Sequence, residues 1–297
     1  MAKVSVIIPA RNEQFLAKTI DDLIRKATGE IEVIVVLDGY WPDPLLKDYD
    51  NLILIHRSQA QGMRPAINAA ANIATGEFLM KTDAHCMFDD GYDEVLQADC
   101  EDNWVVVPRR YSLDAENWTV LDTGKAPVDA HYLRYPYHSL DHIAMHGTVW
   151  NDRQRERQHV LIDDEMSSQG SCWFMTRHHF WNCLGGLHAF GYGPFVQEFQ
   201  EIGNKTWLSG GRVAVNKKTW YAHLHKGKKY GRGYFISKKE VIHGNHYSVD
   251  FWMNNRWGER KYDLEWLIDK FSPVPSWPDN WQEAYLEHEG LLVTTAG

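Results

Sequence analysis

The 297-residue chain is long enough for one large or two small domains around a sizeable core. Its 44% hydrophobic and 24% charged residues, with 22 Gly and 11 Pro, exclude a collagen-like, coiled-coil or disordered chain. A net charge of −9 argues against a general binder of polyanions or acidic membranes. The 13 Trp, 14 Tyr, 11 Phe and 15 His are more flat side chains than such a core needs, which points to an aromatic-lined cleft. The four cysteines, Cys86, Cys100, Cys172 and Cys183, form no CxxC pair and fit reduced thiols in the cytoplasm better than disulfides. The start, Met1 to Glu13, shows no charged-then-apolar leader. No window approaches the roughly 18 apolar residues of a membrane span, so a soluble, unanchored protein is expected.

Along the chain, Val4–Pro9 reads as a strand closed by Pro, and Gln14–Ala27 as a helix with Phe15, Ile20, Leu23 and Ile24 on one face. Ile31–Leu37 is a continuous Ile/Val run that stops at Asp38-Gly39. Leu52–His56 gives a third strand, Arg64–Ala74 a helix, Glu77–Lys81 a fourth strand and Gly91–Gln97 a helix. Continuous rather than alternating apolar strands imply burial on both faces, the pattern of an open parallel sheet with crossover helices. Ligands of such sheets collect beyond the carboxyl ends of the strands, so Pro9–Glu13, Asp38-Gly39 and Thr82–His85 should share one crevice.

From Trp104 to about Met166 the pattern weakens, with strands at Trp104–Pro108 and around Tyr132, and reads as an excursion over the sheet. Regularity returns with a strand at Gly170–Met175, a short helix at Arg177–Cys183, a helix at Glu198–Leu208 and strands at Val213–Val215 and Thr219–His223. A Gly/Lys/Tyr-rich loop follows to about Arg232, and then a tail carrying Trp252, Trp257, Trp266, Trp277 and Trp281. Within that tail Tyr262–Phe271 has the spacing of an amphipathic helix. The expected organisation is a domain over residues 1–245 and a helical, Trp-rich extension over 246–297 packed on it.

Asp83-Ala84-His85 follows the apolar strand Phe78–Met80. In an extended segment the carboxylate and the imidazole point to the same side, which suits a shared divalent cation. Taken alone, the triplet also fits a turn cap beside a surface histidine.

The triplet stands among other motifs. Ser5 to Glu13 (SVIIPARNE), Val35 to Gly39 (VVLDG), Gly62 to Ala70 (GMRPAINAA) and Thr75-Gly76-Glu77 resemble family-2-like nucleotide-sugar transferases of the GT-A type. Asp83 to Cys86 (DAHC), Gly185-Gly186, Glu198 to Ile202 (EFQEI), Trp207 to Gly211 (WLSGG) and Ala222-His223 are similar to the catalytic domains of polypeptide N-acetylgalactosaminyltransferases. The likeness covers residues 4 to 225. It implies a Rossmann-like α/β fold with a mixed, mostly parallel sheet flanked by helices, and transfer of a sugar from a UDP-sugar to an acceptor hydroxyl.

The same resemblance assigns roles. The loop Pro9, Ala10, Arg11 and Glu13, with Asp38, would hold uracil and ribose, and Thr82 closes the same strand-end crevice. Arg64 and Asn68, one turn apart at a helix start, would meet the diphosphate. Asp83, His85 and the distant His223, preferred over His225, would hold Mn2+ or Mg2+, with nitrogen ligands favouring Mn2+. Glu198 aligns with the acidic position beside the sugar, and Glu201 is its fallback. Glu198 would act as general base in an inverting enzyme, or bind sugar hydroxyls or stabilise an oxocarbenium-like centre in a retaining one. Inverting members usually show Glu-Asp here, so Gln197-Glu198 leans toward retention. Trp173 with Gly170-Ser171 would form the floor where donor and acceptor meet.

Residues 202–239 hold ten Lys/Arg and no Asp/Glu in an otherwise acidic chain. The part from Lys226 to Tyr234 reads as a mobile lid whose Lys228 and Arg232 cover the diphosphate. The competing reading is a nucleic-acid groove with Tyr230, Tyr234 and Phe235 stacking bases, as in phage-type enzymes that glycosylate hydroxymethylated pyrimidines of DNA. A non-catalytic sugar- or nucleic-acid-binding module on the same fold is the remaining alternative.

Overall fold

Continuous Val and Ile runs become the buried centre of the sheet in the computed structural model, which describes residues 2–137 and 143–295. Across the main sheet the strands run Ile162–Asp164, Arg212–His223, Trp104–Asp114, Cys172–Thr176, Phe78–Thr82, Val4–Ala10, Ile31–Asp38 and Leu52–Arg57. Val4–Ala10 lies parallel to both Ile31–Asp38 and Phe78–Thr82, so all three strands are covered on both faces, as their unbroken apolar sequences require. Leu52–Arg57 pairs on one side only and is half exposed. Cys172–Thr176 runs antiparallel between Phe78–Thr82 and Trp104–Asp114, which makes the sheet mixed.

The helices Leu16–Lys26 and Met63–Ile73 sit where their apolar spacing places them, burying Leu16, Ile20 and Leu23 in one case and Ala66, Ile67, Ala70 and Ala71 in the other. The sheet separates two apolar layers. One contains Val6, Leu23, Met80 and Phe174, and the other Ile7, Ala70, Trp173 and Trp207. Trp252, Trp257, Leu267, Phe271 and Trp281 join that second layer, so the Trp-bearing tail shares a core with the sheet. A helix over Lys238–Met253 runs through residues 245 and 246, where the expected extension begins.

Two features absent from the sequence reading shape the site. The strands expected at Val213–Val215 and Thr219–His223 form one strand, Arg212–His223. It pairs with Trp104–Asp114 and carries a bulge in which Asn216 faces Pro108 and Trp220 faces Arg109. A short strand, Cys86–Phe88, then lies antiparallel on its end, with His223 opposite Cys86. That pairing carries His223 across the molecule to His85.

Among the described residues, no helix is long and apolar enough to cross a membrane.

Candidate active site

A cavity of about 830 Å³ opens at the carboxyl ends of Val4–Ala10, Ile31–Asp38 and Phe78–Thr82. Pro9, Ala10, Arg11, Glu13, Asp38, Asp83, His85, Glu198, His223 and Arg232 line it, so the three strand ends do share one crevice. Gly170, Ser171 and His225 line it as well.

Asp83, His85 and His223 each bring one ligand atom within 4.8 Å of the others. His223 Nε2 is 3.3 Å from Asp83 Oδ2 and 3.2 Å from His85 Nε2, and His85 Nε2 is 3.9 Å from Asp83 Oδ2. Ligand atoms about 2.1 Å from one cation at right angles lie about 3 Å apart, so this triangle has the dimensions of one face of a coordination shell. The Nδ1 atom of His223 is buried without a hydrogen-bond partner, while that of His85 faces Glu13, so both Nε2 atoms are left to the triangle. Burial pushes the His223 imidazole down to about 4, which keeps a nitrogen lone pair available. Burial alone would raise the Asp83 carboxyl. Lys81 and the two histidines outweigh it and hold Asp83 charged, well below the usual carboxylate range. The donor set and its geometry therefore fit a divalent cation.

Beside this triangle stands a second carboxylate. Glu198 opens the helix Glu198–Leu208, and the preceding Gln197 adopts φ 59, a left-handed conformation rare for a residue with a Cβ. Gln197 is held there by Asn245, Ser248 and His146 through its side-chain amide. Glu198 Oε1 accepts from Trp173 Nε1 at 2.7 Å and Oε2 from Lys81 Nζ at 3.2 Å. Burial raises the Glu198 carboxyl despite the lysine.

Glu13, a largely covered side chain of the cavity wall, has Oε2 3.3 Å from His85 Nδ1 and both oxygens 2.6 Å from Lys226 Nζ. Burial opposes its charge, and His85 and Lys226 more than compensate, so its carboxyl lies below the usual value. The segment after Lys226 is latched to the first strand end. Asn12 Nδ2 donates to the Gly233 carbonyl at 2.6 Å, Arg11 stacks on Tyr234 and Arg232 covers Phe195.

Several expected residues lie elsewhere. Arg64 is fully buried and pairs with Glu201, and its guanidinium also donates to the carbonyls of Val196 and His188. Glu201 is further bound by Lys205 at 2.7 Å, so neither Arg64 nor the fallback carboxylate reaches the cavity. Asn68 spends its side-chain amide on both backbone groups of Leu187. Thr82 is buried on the opposite face of its strand from Lys81 and Asp83, as alternation dictates. Trp173 is core and reaches the site only through Glu198, so the floor consists of Gly170 and Ser171 without it. Lys228 is exposed and does not line the cavity. Asp38 does line it, yet its two oxygens already accept the N–H groups of Gln61 and Gly62, at 2.9 and 2.8 Å.

Lys81 was not singled out from the sequence, and Lys226 entered only as the first residue of the basic segment. Lys81 had a visible signal, as the lone charge in the buried strand Phe78–Thr82.

Comparison with known proteins agrees with this architecture. The chain is 23% identical over 272 residues to a Caenorhabditis elegans protein described as a probable N-acetylgalactosaminyltransferase 7, an alignment covering 85% of this chain and 44% of that one. The chain thus spans less than half the length of that curated relative. A crystal structure of GalNAc-T7 with UDP, GalNAc and Mn2+ superposes with a TM-score of 0.71 at 16% identity, covering 94% of this chain and 59% of the other. Residues 1–349 of S. aureus TarS, in complex with UDP-GlcNAc, superpose with a TM-score of 0.56 at 13% identity, over 89% of this chain and 69% of the other. These likenesses establish the GT-A fold. A family model described as glycosyl transferase family 2 matches residues 5–184, more than half of the sequence, and the chain belongs to that family.

Proposed function

We propose that the protein is a metal-dependent glycosyltransferase that moves a sugar from a UDP-sugar to an acceptor hydroxyl with retention of configuration. The triangle of Asp83, His85 and His223 at the strand ends, opening into a cavity large enough for a nucleotide-sugar, carries this reading. The structural relatives solved with UDP, with GalNAc and Mn2+, and with UDP-GlcNAc support the donor class and the metal.

In this reading Asp83, His85 and His223 hold Mn2+, which when bound offsets charge on the departing diphosphate as the sugar C1–O bond breaks. Pro9 to Arg11 and Glu13 border the nucleotide. Asp38 acts by fixing the Gln61-Gly62 turn as well as by facing the base. Lys226 and Arg232 add positive charge over the diphosphate and, through Glu13 and Phe195, tie the lid to the walls of the cavity. Glu198 presents a fixed carboxylate to the sugar. With one oxygen bound by Trp173 and the other by Lys81, it is poorly placed to swing as a general base. It is well placed to offset positive charge developing at the anomeric carbon, which supports retention. Residues 246–297 serve as a buttress. Ser248 within them and the adjoining Asn245 hold Gln197 and therefore the first turn of the Glu198 helix.

One observation favours DNA as acceptor. Phe235 is 83% exposed on the cavity rim, and Lys228, Lys238 and Lys239 are exposed in the same stretch of chain. Tyr230 and Tyr234, by contrast, are engaged with Phe15 and Arg11, so an aromatic platform would rest on Phe235 alone. The four thiols, all unpaired, support a reducing cytoplasmic location.

The deciding experiment incubates a panel of UDP-sugars with Mn2+ or EDTA and with hydroxymethylated DNA, peptides or free sugars. UDP release and acceptor mass are read. Mn2+-dependent release with a hexose-sized mass gain is expected, whereas metal-insensitive binding without turnover identifies a non-catalytic module.

A further inference from the structure

Lys81 is the unusual residue of the site: a lysine with no exposed surface in the middle of the sheet. Its Nζ donates to Asp83 Oδ1 at 2.7 Å, to Glu198 Oε2 at 3.2 Å and to the Gly170 carbonyl. An ammonium has three N–H groups, so all are committed within the protein and none remains for substrate. Sheet register adds a second constraint. Lys81 pairs across the strands with Trp173, whose indole binds the other oxygen of Glu198 at 2.7 Å. The cross-strand pair therefore grips both oxygens of Glu198. On a further side, Gly170 packs so closely that a Cβ there would lie 2.8 Å from Glu198 Oε2. Meanwhile Lys81 occupies Asp83 Oδ1 and leaves Oδ2 facing His223 and His85.

We propose that Lys81 is a positioning residue that locks the carboxylates of Asp83 and Glu198 into one rigid unit, fixing the separation between the metal-held diphosphate and the charge that faces the sugar. The proposal rests on the functional reading above. A buried cation needed only to balance charge would be indifferent to which carboxylate oxygen it met. Here it takes one defined oxygen of each carboxylate, leaving Oδ2 of Asp83 to the histidines and Oε1 of Glu198 to Trp173, and it does so from a strand held on both sides. Tight positioning matters because misplacement by about 1 Å can cost about a hundredfold in rate.

The test compares wild type, Lys81→Met, Glu198→Gln, the Lys81→Met/Glu198→Gln double variant and Asp83→Ala, all as the full chain. Mn2+ binding is followed by electron paramagnetic resonance and transfer by steady-state kinetics. Lys81→Met should retain Mn2+ binding and lose about a hundredfold in kcat, with the donor KM within about threefold of wild type. Because the lysine acts through Glu198, adding Lys81→Met to Glu198→Gln should slow that variant by no more than about threefold. The double variant removes both charges, so it also answers the question if Lys81→Met alone fails to fold. A Lys81→Met enzyme with wild-type kcat, or losses that multiply in the double variant, overturns the proposal. If Asp83→Ala binds Mn2+ as wild type does, the metal site itself is misassigned and the inference falls with it, an outcome the resonance signal separates from failure of Lys81 alone.

Discussion

Glu198 and Glu201 leave the same first turn of one helix and enter charge clusters of opposite character. Around Glu201 every charged group is matched. Arg64 is held by Glu201 and by the carbonyls of Val196 and His188, and Lys205 by Glu201 and the carbonyls of Leu184 and Gly186. Around Asp83 the set stays open, because the Nε2 atoms of two imidazoles face each other at 3.2 Å beside Asp83 Oδ2, and His223 leaves a buried Nδ1 without a partner. A satisfied buried network is scaffold, since it has nothing left to offer a ligand. An unsatisfied one, opening into a cavity, is a place where a ligand completes the set.

The contrast can be broken most forcefully at the open cluster. Asp83→Ala should lower transfer by on the order of a thousandfold, while Lys81 keeps Glu198 and the Gly170 carbonyl as partners, so the metal-free protein should lose less stability than Glu201→Gln does. An equal loss of stability would make the triangle scaffold as well. The closed cluster should behave in the reverse way. Glu201→Gln strands Arg64 and Lys205 in the core and should cost about 3–5 kcal/mol in urea unfolding, with the folded fraction still binding UDP.

Acid sensitivity sharpens the scaffold side. Burial pushes His179, which contacts Thr206 at 3.0 Å on the same helix, from 6.5 down to about 4. The unfolded chain therefore binds that proton first, and stability should be complete above pH 6.5 and decline as pH falls toward 4. His179→Gln should flatten part of this slope in melts of the metal-free protein, and an unchanged slope would remove His179 from the account. At the proposed lid, Lys226→Ala breaks the contact with Glu13 and should raise the donor KM by about tenfold with a smaller change in kcat. The smallest effect is expected at Lys229. Its partner Glu116 is as exposed as it is, and Lys229→Ala should leave both the midpoint and the kinetics unchanged.

Much of the fold was legible because burial on both faces leaves so direct a mark. Val4–Ala10, Ile31–Asp38 and Phe78–Thr82 read as strands from unbroken apolar runs. The helix Lys238–Met253 left no such mark, since its buried residues include Asn245 and Ser248, which bond Gln197, and Gly244, which packs tightly against Tyr192 and Val196. The site was legible by chemistry but less so by direction. Asp83 and His85 announce themselves by spacing, and family likeness supplied His223, whose approach depends on a bulge and on the short strand Cys86–Phe88. Arg64 and Asn68 are the residue types that a diphosphate would want, yet the sequence does not show that Glu201 and Leu187 claim them first. Lys81 shows the converse, because a lysine inside an apolar strand marks buried carboxylates nearby before either is known.

The most direct trial of the central claim is a Mn2+ titration followed by electron paramagnetic resonance on the wild-type chain and on His223→Ala. The account predicts one site in the wild type, weakened by more than about tenfold when the distant imidazole is removed. Equal affinity in the two proteins would show that residues far apart in the sequence do not meet around a cation, and would contradict it.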